Sequence, residues 1–275
     1  MPDTKISADL QCAKNIVYGK GGRSTLKMDE YRLKELSDKI LTPVLRVHGG
    51  GWYAGSKNDY SDDIETVALA GFSVFNIDYR LSGEACFPAQ IEDCKCAVRF
   101  LRANGKKLKI KTGKIGAIGG SAGGHLVALL GTSSGVKELE GRGGWEGYDS
   151  SVAAVCNICG VTDIEKMKSK DKLLQPDDPK SAISMFLGGL LKDKKEVAAA
   201  SSPLKYISRK TPPFLIIHGD SDDVVPMSQS ALLYKALLKA QVKASYFTVS
   251  GAGHAPLNGE MHEQIAAFFK ANLPA

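Results

Sequence analysis

The sequence predicts an α/β domain, a mostly parallel central sheet flanked by helices. Three observations carry that expectation. Short apolar runs of buried-strand type alternate with helical stretches from Val44 onward, which is the pattern of a parallel sheet covered on both faces. Every stretch carrying candidate chemistry lies just after one of those runs, where open parallel sheets gather their active sites. The chain has 275 residues, 43% hydrophobic and 24% charged, which suits one large soluble α/β unit.

In chain order, residues 1–43 are mixed, and Leu26–Leu33 alternates well enough for an exposed strand in an opening hairpin. Pro43 introduces the strand Val44–Val47, which ends at His48-Gly49-Gly50-Gly51-Trp52. A helix is expected over Asp62–Ala70 and a strand over Phe72–Ile77, running into Asp78-Tyr79-Arg80. Pro88 suits a first helical turn, and Ile91, Cys94, Val98 and Leu101 share one face of a helix over Ala89–Asn104. Strand Ile115–Ile118 and the apolar helical run Leu126–Leu130 bracket Gly119-Gly120-Ser121-Ala122-Gly123-Gly124. A glycine-rich loop over 131–147 and the strand Val152–Cys159 follow. Residues 160–205 have no strand pattern, only short helical pieces at 180–187 and 194–200 around a Pro-Asp-Asp-Pro stretch; they are the expected lid. Strand Phe214–Ile217, helix Ser228–Ala240, strand Ser245–Val249 and helix Glu260–Ala271 complete a single domain with one insertion.

Composition excludes several function classes. The formal charge is +6, but acidic residues break two of the three lysine-rich stretches and none carries an aromatic residue, so no nucleic-acid face is expected. No apolar run approaches membrane-spanning length, and residues 1–20 show no apolar signal-peptide core. The six cysteines lack disulfide-framework spacing, and Cys156-Asn157-Ile158-Cys159 lies in an apolar run where small buried hydrophobes are expected. Reduced thiols and this N-terminus read as cytoplasmic as the chain stands, or as secreted where a leader has been removed. There is no zinc spacing, Walker loop or dinucleotide fingerprint, so neither metal nor cofactor is implied.

Gly-x-Ser-x-Gly between a strand and a helix makes a nucleophile elbow, with the Ser121 hydroxyl pushed out of the sheet. Its hydroxyl needs a base, and a carboxylate to orient that base. Among the five histidines, His48 and His218 each end a strand before glycine and suit loop organisation. His125 is expected to point away from Ser121, and His262 to be a solvated surface residue. His254, in a glycine-flanked loop after the last strand, is free to swing over the sheet edge and is the expected base. Of Asp220, Asp222 and Asp223, Asp222 is favoured as the acid and Asp223 is the runner-up. Ser, Asp and His then fall in the chain order expected of this architecture. The amide of Ala122 and those of the His48–Gly51 turn supply oxyanion donors. Trp52 and Tyr53 are equally suited to a substrate pocket or to the core.

Assembled, these residues resemble the α/β-hydrolase superfamily, above all its acetyl esterase and lipase branch marked by His-Gly-Gly-Gly-Trp. The matching pieces are His48–Trp52 with Gly55-Ser56-Lys57, Asp78-Tyr79-Arg80-Leu81, Gly119–Gly124, His218–Pro226 and Gly253-His254. The resemblance implies Ser121 as nucleophile, His254 as base, Asp222 as acid, and the amides of Gly50, Gly51 and Ala122 as the oxyanion hole. The chain is also similar to bacterial feruloyl and acetylxylan esterases, implying short-acyl or hydroxycinnamoyl esters, small or carbohydrate-linked, as substrates. An arylformamidase or other amidase, and a non-catalytic ligand-binding relative, are the competing readings.

Overall fold

The computed structural model describes residues 6–273 of the chain. Residues 1–5, where the leaderless reading of the N-terminus begins, lie outside the described residues. One eight-stranded sheet forms the centre, in the order β1-β2-β4-β3-β5-β6-β7-β8. The strands are β1 (Leu10–Gly21), β2 (Ser24–Leu33), β3 (Pro43–Val47), β4 (Ser73–Ile77), β5 (Gly116–Gly120), β6 (Ala154–Ile158), β7 (Phe214–Gly219) and β8 (Ala244–Val249). From β4 across to β8 every pairing is parallel, while β1 and β2 pair antiparallel with each other and β2 with β4.

Helices α1 (Asp62–Leu69), α2 (Ala89–Ala103), the single turn α3 (Gly105–Leu108), α4 (Ala122–Thr132), α5 (Ala182–Leu187), α6 (Lys195–Ser201), α7 (Ser228–Lys239) and α8 (Gly259–Asn272) complete the fold. Each long helix lies on one side of the sheet. Ile64 and Val67 of α1 and Met261, Ile265 and Phe269 of α8 fill one core, while α2, α4 and α7 fill the other. Helix α4 is buried along its whole length, as an all-round apolar run such as Leu126–Leu130 requires.

Two expectations about exposure need correction. Strand β2 is not exposed: Met28–Arg32 is buried throughout, because β1 covers one edge of β2 and β4 pairs with the other. The polar residues that read as solvent-facing are satisfied inside. Asp29 meets Lys57 at 3.1 Å, Glu30 pairs with Arg32, and Arg32 Nη2 donates to the Leu108 carbonyl at 2.7 Å. Helix α2 is likewise buried almost throughout, since the loop after α4 folds over it. Lys95 and Arg99 are buried there against Glu140, at 2.7 and 2.9 Å. His262 is half-buried rather than free on the surface; its Nδ1 meets the Thr66 hydroxyl at 2.6 Å and joins α8 to α1.

Candidate active site

Ser121 stands between β5 and α4 with φ 55° and ψ −121°, a left-handed backbone outside the helical well. Two glycines make that turn possible. A β-carbon on Gly123 would lie 2.1 Å from the Val47 carbonyl oxygen, and one on Gly119 would lie 2.6 Å from the Gly123 backbone. Any side chain there would push α4 off β3 and β5. The Ser121 amide donates to the Ile158 carbonyl at 2.9 Å, so the turn is also tied to the neighbouring strand β6.

Asp222 and His254 meet from the loops after β7 and β8. His254 Nδ1 lies 2.8 Å from Asp222 Oδ2, and because that oxygen only accepts, the ring donates. The other carboxylate oxygen, Oδ1, accepts from the amides of Val224 and Val225, both at 2.9 Å. His218 Nε2 lies 3.2 Å from Oδ2 and also donates to the Val225 carbonyl at 2.8 Å. The Asp222 side chain is wholly buried. Burial by itself would raise its pKa, but the hydrogen bonds from His218 and His254 outweigh it and hold the carboxyl well below the usual range. For His254, burial alone would lower the pKa, and the interactions with Asp222 and then Cys159 together more than reverse that, so the imidazolium is favoured.

The three aspartates of the β7 loop thus divide their work. Asp220 Oδ1 accepts from the Gly251 amide at 2.8 Å and steadies the loop bearing His254. Asp223 points outward to Lys170 at 2.7 Å, which removes it as an alternative partner for His254. Asp222 alone of the three sits beneath the ring.

Ser121 and His254 line one cavity of about 340 Å³, together with Gly49, Gly50, Gly51 and Tyr53. Among the described residues no hydrogen bond joins the Ser121 hydroxyl to the ring; such contacts often tighten only around substrate. The turn Gly50–Gly51 has φ of 98° and 57°, and its amides, like that of Ala122, donate to no described protein acceptor. Gly50 and Gly51 line the cavity and Ala122 follows Ser121, so these three amides are the candidates for holding an anionic oxygen.

The histidine and tyrosine of the neighbouring motifs hold this turn. His48 donates from Nδ1 to the Gly49 carbonyl at 2.8 Å and stacks on Tyr79 at 4.3 Å. Burial pushes its pKa down to about 4, so it is a neutral brace. Tyr79 in turn donates to the His48 carbonyl at 3.2 Å.

Trp52 and Tyr53 part company. Trp52 is buried core: it stacks on Phe186 of α5 at 4.4 Å and its Nε1 donates to His125 Nδ1 at 3.1 Å. Its backbone is left-handed, φ 62°, and the indole packs against α5, outside the lining of the cavity. Of the two readings open for Trp52, pocket or core, it takes the core and does not line the cavity. Tyr53 does line the cavity. His125 passes the link onward, donating from Nε2 to the Ser201 carbonyl at 2.8 Å, and burial lowers its pKa to about 4. It faces away from Ser121, as expected.

Several cavity residues carried no motif. Leu173, Leu174 and Ala182 close one side from the segment after β6, within a lysine-rich stretch that shows no apolar periodicity. Cys159 is buried with φ 44°, and its sulfur lies within 4.8 Å of His254 and Asp222 donor atoms. It looked like one more buried thiol, and only the fold brings it beside the ring.

The model of one family, BD-FAE, matches residues 28–237, three quarters of the chain and all of the site except His254. The chain belongs to the BD-FAE family. It is 31% identical to Esterase LipC of Mycobacterium tuberculosis over 88% of its own length and 59% of that protein's. The chain spans about half the length of the curated relatives it matches, down to 49% for LipM, a probable carboxylic ester hydrolase. A truncated carbohydrate esterase from gut microbiota superimposes with a TM-score of 0.86 at 29% identity, covering 99% of this chain and 98% of that one. A bifunctional GH43-CE protein of Bacteroides eggerthii gives 0.84 at 32% identity, covering 98% of this chain and 38% of that one. The fold is that of the α/β-hydrolases.

Proposed function

We propose that the chain is a serine esterase with Ser121 as nucleophile, His254 as base and Asp222 as its orienting acid. The observation that carries this is the His254–Asp222 hydrogen bond at 2.8 Å on a ring that lines the same cavity as Ser121. Ser121 Oγ attacks the ester carbonyl while His254 Nε2 takes its proton. The oxyanion that forms is held by the amides of Gly50, Gly51 and Ala122. Collapse expels the alcohol, which receives the proton from His254, and leaves an acyl group on Ser121. Water, deprotonated by His254, then attacks the acyl-enzyme and releases the acid. Asp222 keeps the proton on Nδ1, so that Nε2 faces the serine with its lone pair.

The substrates proposed are short-acyl or hydroxycinnamoyl esters, including those on plant cell-wall polysaccharides. Tyr53, Leu173 and Leu174 give the cavity an apolar wall suited to a small or flat acyl group. Support for a carbohydrate alcohol comes from the carbohydrate esterase and GH43-CE structures, by similarity. Residues 160–205 are proposed as a cap over this cavity, closing it through Leu173, Leu174 and Ala182.

The test is hydrolysis by wild type and Ser121→Ala of p-nitrophenyl acetate, butyrate and octanoate, methyl ferulate, acetylated xylan and N-formylkynurenine. Turnover of esters by wild type and not by the variant is expected. Turnover of the formamide alone would move the protein to the amidases. Ligand binding without turnover by either chain would make it a non-catalytic relative.

A further inference from the structure

Cys159, Asp222 and His254 converge at a point where a thiol has no part in the proposed acyl chemistry. One donor atom from each, Sγ, a carboxylate oxygen and a ring nitrogen, lies within 4.8 Å of the other two. The approach is built by the backbone. Cys159 follows β6 in a left-handed conformation, φ 44°, held by its amide donating to the Ile217 carbonyl at 2.8 Å. Cys159 and the carboxylate are buried, while the ring reaches the cavity.

We infer that Cys159, Asp222 and His254 form a binding site for a soft or borderline divalent cation such as Zn²⁺ or Cd²⁺, and that its occupation switches the esterase off. Its functional consequence rests on the esterase reading above; the binding itself does not.

A thiolate, an imidazole and a carboxylate are the three ligand types zinc accepts, with bonds of about 2.0–2.3 Å that put donors around one ion roughly 3–4 Å apart. Three atoms within 4.8 Å of one another need only a small contraction to meet that geometry. Asp222 has one position to lend. The amides of Val224 and Val225 and the His218 ring occupy its other acceptor sites, and a cation on Oδ2 replaces the His254 hydrogen bond alone.

Proton bookkeeping shows why binding blocks catalysis. The carboxylate is already ionised; the thiol gives up its proton and the imidazolium gives up one ring proton, both to solvent. Bound through Nε2, the ring has no lone pair left for Ser121. Bound through Nδ1, the ring keeps its remaining proton on Nε2, and that nitrogen is a donor. Either way the base is lost.

The test uses the whole chain with the exposed Cys86 and half-exposed Cys12 changed to serine, to remove competing thiols. Zn²⁺ is titrated against hydrolysis of a simple ester, with and without Cys159→Ser. Inhibition reversed by a chelator, and at least about tenfold weaker in the Cys159→Ser chain, is expected, since losing even an outer partner of a metal site costs about 10–100-fold. Cd²⁺ binding is read separately by its thiolate charge-transfer absorbance in a Ser121→Ala chain, which reports the site whether or not the protein is an esterase. A one-to-one absorbance change that Cys159→Ser abolishes supports the site. Equal zinc sensitivity with and without the thiol, or no absorbance change on the folded Ser121→Ala chain, overturns it.

Discussion

The two sides of the cavity are held by opposite means. On the side proposed to hold the oxyanion, order comes from shape: Gly123 and Gly119 let α4 touch the strand ends, and neutral His48 and His125 brace the turn through stacking and hydrogen bonds. On the acid–base side, order comes from charge: one buried carboxylate takes donors from two backbone amides and two histidines. The same side chain behaves oppositely in the two settings. Burial drives the pKa of His48 and His125 down, whereas Asp222 raises that of His254. Presenting a backbone amide needs close packing; tuning a base needs an unscreened opposite charge.

The contrast can be broken most severely at the nucleophile. Ser121→Ala removes the proposed attacking atom and leaves both sides intact, so kcat should fall about 10⁶-fold with an unchanged melting temperature. Asp222→Asn attacks the charged side, and a fall in kcat of about 10⁴-fold is expected from the wrong ring tautomer. An unchanged kcat in that variant would show that His254 needs no carboxylate.

Trp52→Ala attacks the packed side. Losing an indole buried between Phe186 and His125 should cost about 3–5 kcal/mol in chemical denaturation. A loss below about 1 kcal/mol would mean that α5 does not rest on it.

The pH dependence separates the two sides by sign. His254 must be neutral to accept the serine proton, so kcat/KM should rise with pH through a midpoint above the ordinary histidine value of 6.5, and Asp222→Asn should move that midpoint down. For stability, the lowered Asp222 contributes above its unfolded value near 3.8 and loses that contribution as pH falls through its folded value. The raised His254 contributes below 6.5 and loses its share as pH rises through its folded value. Asp222→Asn should therefore destabilise most between these limits. His48 and His125 on the packed side act with the opposite sign to His254: they contribute above 6.5 and lose that share as pH falls towards about 4.

The smallest effect is expected at Tyr53, exposed at the cavity rim. Tyr53→Ala should raise KM for aryl esters by about tenfold and leave kcat on acetate esters nearly unchanged, since one lost contact is worth about 1–2 kcal/mol.

Much of this was written in local sequence. Apolar runs ending in His-Gly-Gly-Gly, Gly-x-Ser-x-Gly and His-Gly-Asp set the parallel strands and their loops, because strand burial and glycine turns depend on neighbouring residues. The chain order of Ser121, Asp222 and His254 and the preference for Asp222 followed from the same stretches. Tertiary structure decided what depends on partners distant in the chain. It buried the charged face of β2 by placing β1 and β4 on its two edges, and it sent Trp52 under Phe186 while leaving Tyr53 at the cavity. It also brought Cys159 to His254 across 95 residues of chain. Polarity and motif are properties of a residue, but burial and proximity belong to the packed whole.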